Sequence, residues 1–410
     1  MKKSILIIGA LSLSLSVFSQ QLSHETLVIN IEVPVRVFKG NTFVENLTID
    51  DFEVYEDGKV QKVEAVYLIK KTVIEKKEEK RKFAPETARN FYLIFEVTEF
   101  DSKITDAMGY FIQNILIPGD NLVIVTPMKT YRMRSDAFQL LSKEQLVKQL
   151  ERILRRDALT GSSEYRSAVE DLASLARAMS AAISGPGVER MNSVTDRYSG
   201  SEFMDRPIDS LLPMYAANLE KLENIRSVDQ KKLLDFAKFL KENEGQKYIF
   251  LFYQREFIPQ IEPRILAQYL SLYEGDPNIL HTVSDLLEFK KREISFDLNQ
   301  VKQAYADAST SIHFLFFSRL PEPIPGVSMK EHSEDIFGAF MEMAKATGGF
   351  ADSSANPVYL FQKAGEASEN YYLLYYSPPD YKKDGKFRRI EVKIKNSNYR
   401  ITNRAGYFSN

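Results

Sequence analysis

Glu96 to Ser102 reads Glu-Val-Thr-Glu-Phe-Asp-Ser, three carboxylates and two hydroxyls in seven residues, at the end of the apolar run Phe91 to Val97. A buried strand ending this way presents its oxygens at an exposed tip, and a hard divalent cation is held by oxygens on short side chains. Glu96, Thr98 and Asp101 form one candidate ligand set. Another reading gives Asp101 and Ser102 to the next helix, capping it and opposing its dipole, and leaves Glu96 and Glu99 as solvated acids.

The surrounding pattern says what would position such a tip. After the strand Phe91 to Val97, residues Ile104, Met108, Phe111, Ile112 and Ile115 share one helical face. Leu122 to Thr126 predicts the next strand and Thr130 to Arg134 a short partner. Ser142 to Gln145 has capping-box spacing and opens a helix with Leu146, Val147, Leu150 and Leu154 inward; another helix covers Glu164 to Ile183. Gly185 to Asp209, rich in Gly, Ser, Asp and Arg, predicts a long loop. Helical spacing resumes from Leu219 to Asn243. Lys247 to Tyr253 and Ile312 to Phe317 are further strands, with two helical stretches between them. A second capping box, Ser328 to Glu331, precedes a helix with Ile336, Phe337, Phe340, Met341 and Ala344 inward, stopping at Gly348-Gly349. Strands alternating with helices argue for a parallel sheet covered on both faces, whose ligands lie outside the carboxyl ends of the strands. Glu96 to Ser102, the turn after Phe252 and the loop around Thr160 then share one rim.

Both chain ends follow a different period. Leu27, Ile29, Ile31, Val33, Val35 and Val37 alternate, and Phe52 to Tyr55 runs into Asp57-Gly58, a hairpin signal because both positions tolerate positive φ. Tyr371 to Tyr376, Arg389 to Lys395 and Tyr399 to Arg404 alternate again, punctuated by Pro378-Pro379 and Asp384-Gly385. Four tyrosines fall between 371 and 376; Tyr372, Leu374 and Tyr376 share one face and Tyr371, Leu373 and Tyr375 the other. These rings are read as core or cross-strand pairs, with an exposed binding face as the alternative. One β domain built from both ends, with the α/β domain inserted, is the simplest arrangement. The mixed-charge run Glu75 to Lys82 reads as a solvated linker between them.

Composition narrows the function. The chain has 410 residues, 44% hydrophobic, and no cysteine, which removes disulfides and thiolate chemistry. Lys2 and Lys3 followed by the apolar stretch Ile5 to Val17 predict a signal peptide over 1–19, cleaved near Ser19-Gln20, and no later stretch is long enough to cross a bilayer. Without Lys2 and Lys3, 52 basic residues face 56 acidic ones, which leaves no electrostatic footprint for nucleic acid. The four histidines, His24, His281, His313 and His332, form no metalloprotease pair, and neither a nucleophile elbow nor a phosphate loop occurs. His313 reads as a hydrogen-bonded core residue. Nothing favours a glycosidase-type pair among 56 acidic residues.

Val44-Glu45-Asn46-Leu47-Thr48-Ile49-Asp50-Asp51-Phe52-Glu53-Val54-Tyr55-Glu56-Asp57-Gly58-Lys59, Ala346-Thr347-Gly348-Gly349, Tyr371 to Tyr376 and Arg404-Ala405-Gly406-Tyr407-Phe408 together resemble bacterial von Willebrand factor A-related proteins with β segments on both sides of the A domain. The resemblance implies a doubly wound, mostly parallel α/β sheet inserted in a β-sandwich-like domain. The expected divisions are a signal peptide 1–19, a β segment 20–70, a charged linker 71–88, the A-like domain 89–369 and a β segment 370–410 packing with 20–70. The family's cation site uses Asp-x-Ser-x-Ser, a Thr from a second loop and an Asp from a third. Here Glu96, Thr98 and Phe100 align with the first stretch, Thr160 offers the second hydroxyl, and Gln254-Arg255 stands where an aspartate and glycine belong. The implied site has lost its metal, and Arg255 beside Glu96 is expected to stand in for part of the cation's charge. The expectation is an exported protein, periplasmic or secreted, with no catalytic residue and no cofactor. It binds an extracytoplasmic protein through Glu96, Thr98, Glu99, Asp101, Ser102, Thr160, Gln254, Arg255 and the 185–209 loop. An envelope-assembly role for the β domain and a cation-dependent atypical site are the alternatives.

Overall fold

Strands from the two chain ends pair with one another. The computed structural model describes residues 29–133, 137–184, 203–289, 294, 296–321, 323, 324, 327–395 and 398–410. The expected signal peptide and residues 185–202 of the expected loop lie outside them. The chain opens with β1 (Ile31–Lys39), β2 (Thr42–Phe43), β3 (Phe52–Glu56), β4 (Lys59–Gln61), β5 (Val63–Lys70) and β6 (Val73–Glu79). Asp57 and Gly58, between β3 and β4, have φ of 48° and 79°, the left-handed values a two-residue hairpin turn requires.

The charged run corrects one expectation. Much of it is not a linker but β6, exposed at every residue and antiparallel to β5. Its lysines and glutamates guard a sheet edge against pairing with another chain.

The middle of the chain begins with β7 (Arg89–Glu96), α1 (Ser102–Tyr110), β8 (Asn121–Val125) and β9 (Thr130–Arg132). Helices α2 (Ala137–Leu140), α3 (Lys143–Gly161), α4 (Ser163–Ser184), α5 (Ile208–Arg226) and α6 (Gln230–Lys241) follow, then β10 (Gln246–Gln254) and β11 (Phe257–Gln260). Next come α7 (Pro263–Leu272), α8 (Pro277–Phe289), α9 (Leu298–Asp307), β12 (Thr310–Phe317), β13 (Ser328–Glu331), α10 (Glu334–Ala346), β14 (Ala351–Ser354) and α11 (Pro357–Glu369). The chain closes with β15 (Asn370–Tyr376), β16 (Phe387–Ile394), β17 (Arg400–Asn403) and β18 (Gly406–Phe408).

The central sheet has the order β14-β12-β10-β7-β8-β9 and is parallel except for β9. Strand alternation sends Phe91, Leu93, Phe95, Phe250 and Phe252 to one face, against Met108, Leu154 and Phe361 of α1, α3 and α11. Tyr92, Ile249, Leu251 and Phe314 go to the other, against Leu240, Val301 and Phe340 of α6, α9 and α10. Each such side chain, fully buried, contributes roughly 1.5–3 kcal/mol. Helices α4, α5, α7 and α8 form a separate core with β11, around Leu172, Leu212, Tyr215 and Ile265. Sequence periodicity did not separate that core from the sheet layers.

Two boundaries also move. Ser328 to Glu331 forms β13, paired with β11, and the helix after it starts at Glu334 with Ser333 at its N-cap. Helix α5 begins at Ile208, inside the segment expected as loop.

In the outer sheet, β17-β1-β15-β5-β6, strand β15 lies between β1 and β5, so Leu374 is paired with both Val33 and Val66. A second antiparallel sheet, β18-β16-β3-β4, packs face to face on it through Val54, Val392, Tyr372 and Tyr376. The four tyrosines are 0–6% exposed, so they are core and not a binding face. At the junction with the central sheet, Arg36 of β1 donates to Gly348 O at 3.0 Å. Gly348 has φ 69°, and a Cβ at Gly349 would fall 1.8 Å from Ile312 O, which explains why this corner carries two glycines.

Candidate functional site at the sheet rim

Alternation in β7 places Glu96 at its carboxyl end on the face shared with Tyr92 and Ile94, beside Tyr253 of β10. Gln254, the next residue of β10, is 1% exposed. Its Oε1 accepts from Thr98 N and Glu99 N, each at 3.0 Å, and from Thr98 Oγ1 at 3.2 Å. The residue standing where the metal pattern has an aspartate therefore fastens the first rim loop by its carboxamide. Ser162 Oγ donates to Thr98 O at 2.7 Å and secures the same loop from the α3–α4 junction. Thr160, the hydroxyl expected from this segment, lies two residues earlier, exposed in the last turn of α3.

Asp101 is the N-cap of α1, accepting from Lys103 N at 2.8 Å, while Ser102 is exposed at the first helical position and does not cap. Phe100 packs against the sheet core with the Arg155 guanidinium 5.5 Å above its ring. Glu99 pairs with Arg319. Arg255 does not compensate Glu96: its guanidinium lies over the Phe316 ring at 5.3 Å and its Nε is 3.2 Å from Glu331. No three acidic or histidine side chains converge on a cation position among the described residues.

Glu96 has neither ion pair nor hydrogen bond within the described protein. The residue is exposed at the end of β7 and lines a cavity of about 430 Å³. Desolvation, with repulsion from Glu256, pushes its carboxyl up to about 7.

Sequence reasoning missed the groups around it. Arg226, at the end of α5, directs Nε to Glu256 at 2.6 Å, Nη1 to Glu223 at 3.1 Å and Nη2 to the His332 carbonyl. His332 Nε2 is 3.1 Å from Glu223, and the His332 amide donates to Glu256 O. Burial pushes the Glu256 carboxyl up, against the pull of Arg226. Three distant segments meet here, and no spacing in the sequence announces it. His313 is fully buried, as expected of a core residue, but neither ring nitrogen has a hydrogen-bond partner; burial and then Arg36 hold it well below its ordinary value.

Outside Gln254 and Glu256 lies a second cleft, of about 390 Å³, lined by Arg155, Arg166, Arg255 and Arg319 over Phe100 and Ile324. Arg255 and Arg319 have carboxylate partners. Among the described residues Arg155 and Arg166 have none, and Arg166 Nε is buried without an acceptor.

No family model and no curated protein matches this chain. Among solved structures it is similar to the human COPII-coat protein Sec24c, at 9% identity and a TM-score of 0.30. The likeness covers 80% of this chain and 44% of that one, so the chain spans less than half of its neighbour, and a score this low carries no inference about function.

Proposed function

We propose that this chain is an exported, non-catalytic protein-binding module, a von Willebrand factor A-like sheet set in a β-sandwich-like domain, and that its rim holds an acidic segment of an extracytoplasmic partner without a metal. The supporting observation is the arginine cleft, where Arg155 and Arg166 present guanidinium groups with no carboxylate partner among the described residues, beside the apolar surface of Phe100 and Ile324. Arginine binds carboxylates through paired, charge-assisted hydrogen bonds, and an aromatic neighbour adds contact area. Two of the groups that a cation would need are engaged elsewhere: Thr98 Oγ1 donates to Gln254, which holds the loop, and Asp101 caps α1.

Photo-cross-linking maps the contact surface. A benzoylphenylalanine at Leu159, 46% exposed in the rim cleft, is expected to trap the partner, and one at Val60, 69% exposed on β4, is not. Adducts from position 60 alone would move the contact to the β sheets and replace rim binding by an assembly role.

A further inference from the structure

The 430 Å³ cavity behind the rim has a carboxylate at its neck and an apolar interior. Ile94 and Leu251 of the sheet, Phe236 of α6 and Ile336 and Phe340 of α10 form its walls. Its size falls within the roughly 300–1,000 Å³ of small-molecule sites, below what a folded partner needs.

Two polar groups at the neck lack partners among the described residues. Glu96 has no counterion, and Arg226 cannot serve as one because its nitrogens are committed to Glu256, Glu223 and the His332 carbonyl. Lys232 extends into solvent, 3.7 Å from Asp229. Tyr165 is 7% exposed, lines the cavity, and its hydroxyl makes no hydrogen bond within the described protein. Burial and the nearby Glu256 hold that phenol protonated. Glu256 and Glu223 already flank the Arg226 guanidinium, and Glu96 is repelled by Glu256, so the local field favours a cation.

We infer that this cavity binds a small primary amine with an apolar body, its ammonium on the Glu96 carboxylate and the Tyr165 oxygen and its apolar body along Ile94, Leu251 and Phe236. An ammonium offers three donors, enough for both oxygens. A bare divalent cation fits less well, because it needs more oxygen ligands than converge here. The apolar walls contribute in proportion to the area they cover.

The test uses hexylamine on the full mature chain, with hexanol and hexanoate as arms, read by calorimetric titration and thermal melting. Hexylamine is expected to bind saturably and raise the melting temperature, hexanol to bind weakly and hexanoate not at all. Glu96→Gln should weaken hexylamine by about tenfold or more, since the ammonium loses its charge partner. Tyr165→Phe should weaken it by a smaller factor while folding normally. Equal binding of hexanol and hexylamine, unchanged affinity in Glu96→Gln, or no saturable hexylamine binding by the folded wild type would each overturn the assignment.

Discussion

Glu96→Gln keeps the shape of the side chain and removes its ionisation, so it should make this protein more stable at alkaline pH. A carboxyl that titrates near 7 when folded and near its ordinary 4.5 when unfolded binds its proton more tightly in the native state. Its contribution to stability is therefore fully present below about pH 4.5 and is lost as pH rises through about 7. At full strength such a difference corresponds to about 3 kcal/mol, but Glu96 keeps solvent contact, and screening reduces it to about 1 kcal/mol. The variant should thus exceed the wild type by about 1 kcal/mol at pH 8 and match it at pH 4.5. Glu256 is also pushed up and adds a slope of the same sign in both proteins; because its charge repels Glu96, the difference between them reports Glu96 together with that coupling. Urea unfolding followed across pH 4.5 to 8.5 measures it. A pH-independent difference, or a variant weaker than wild type at pH 8, would refute the reasoning and show that the ionised carboxylate has a stabilising partner.

Gln254→Ala removes the acceptor for Thr98 N and Glu99 N and should cost about 1–3 kcal/mol, with faster hydrogen exchange at those two amides; unchanged exchange there would show the loop is held otherwise. Melts in excess magnesium or calcium should match melts in chelator, whereas a cation at a hundredfold excess over its dissociation constant would add about 2.7 kcal/mol. A saturable shift abolished by Thr98→Ala would return Glu96, Thr98 and Asp101 to a ligand role. Truncation before Asn370 removes the strand between β1 and β5 and should raise hydrogen exchange across Ile31–Lys39 and Val63–Lys70; protection retained in both would contradict their dependence on β15.

Elements with a clean local period were legible in the sequence, and contacts between distant segments were not. The runs that became β7, β10, β12 and β15 declared themselves, as did the capping box that opens α3 and the Asp57-Gly58 turn. The two faces of the tyrosine strand followed from alternation alone. Ser328 to Glu331 misled because capping-box spacing also arises in a short strand, and pairing with β11 overrode the local preference. The charged run misled because solvation does not distinguish a linker from an edge strand. At the rim, sequence offered Asp101 and Ser102 as caps, with Asp101 as a ligand in the other reading, and marked Gln254 as a departure from an acidic ligand. It did not reveal that Gln254 holds the loop, that Ser162 and not Thr160 secures it, or that Arg255 turns to Glu331. Arg226 and Glu256 were invisible for the same reason: their pairing joins α5 to the chain after β10, thirty residues away.

Rim recognition without a metal is tested most directly by fluorescence anisotropy with a labelled peptide of alternating glutamate and leucine, in chelator, against its glutamine counterpart. The acidic peptide should bind wild type, weaken as salt rises and lose its affinity in the Arg155→Ala, Arg166→Ala double variant, with the glutamine peptide inert throughout. Binding that appears only on adding magnesium, or that is equal for the two peptides, would contradict the account.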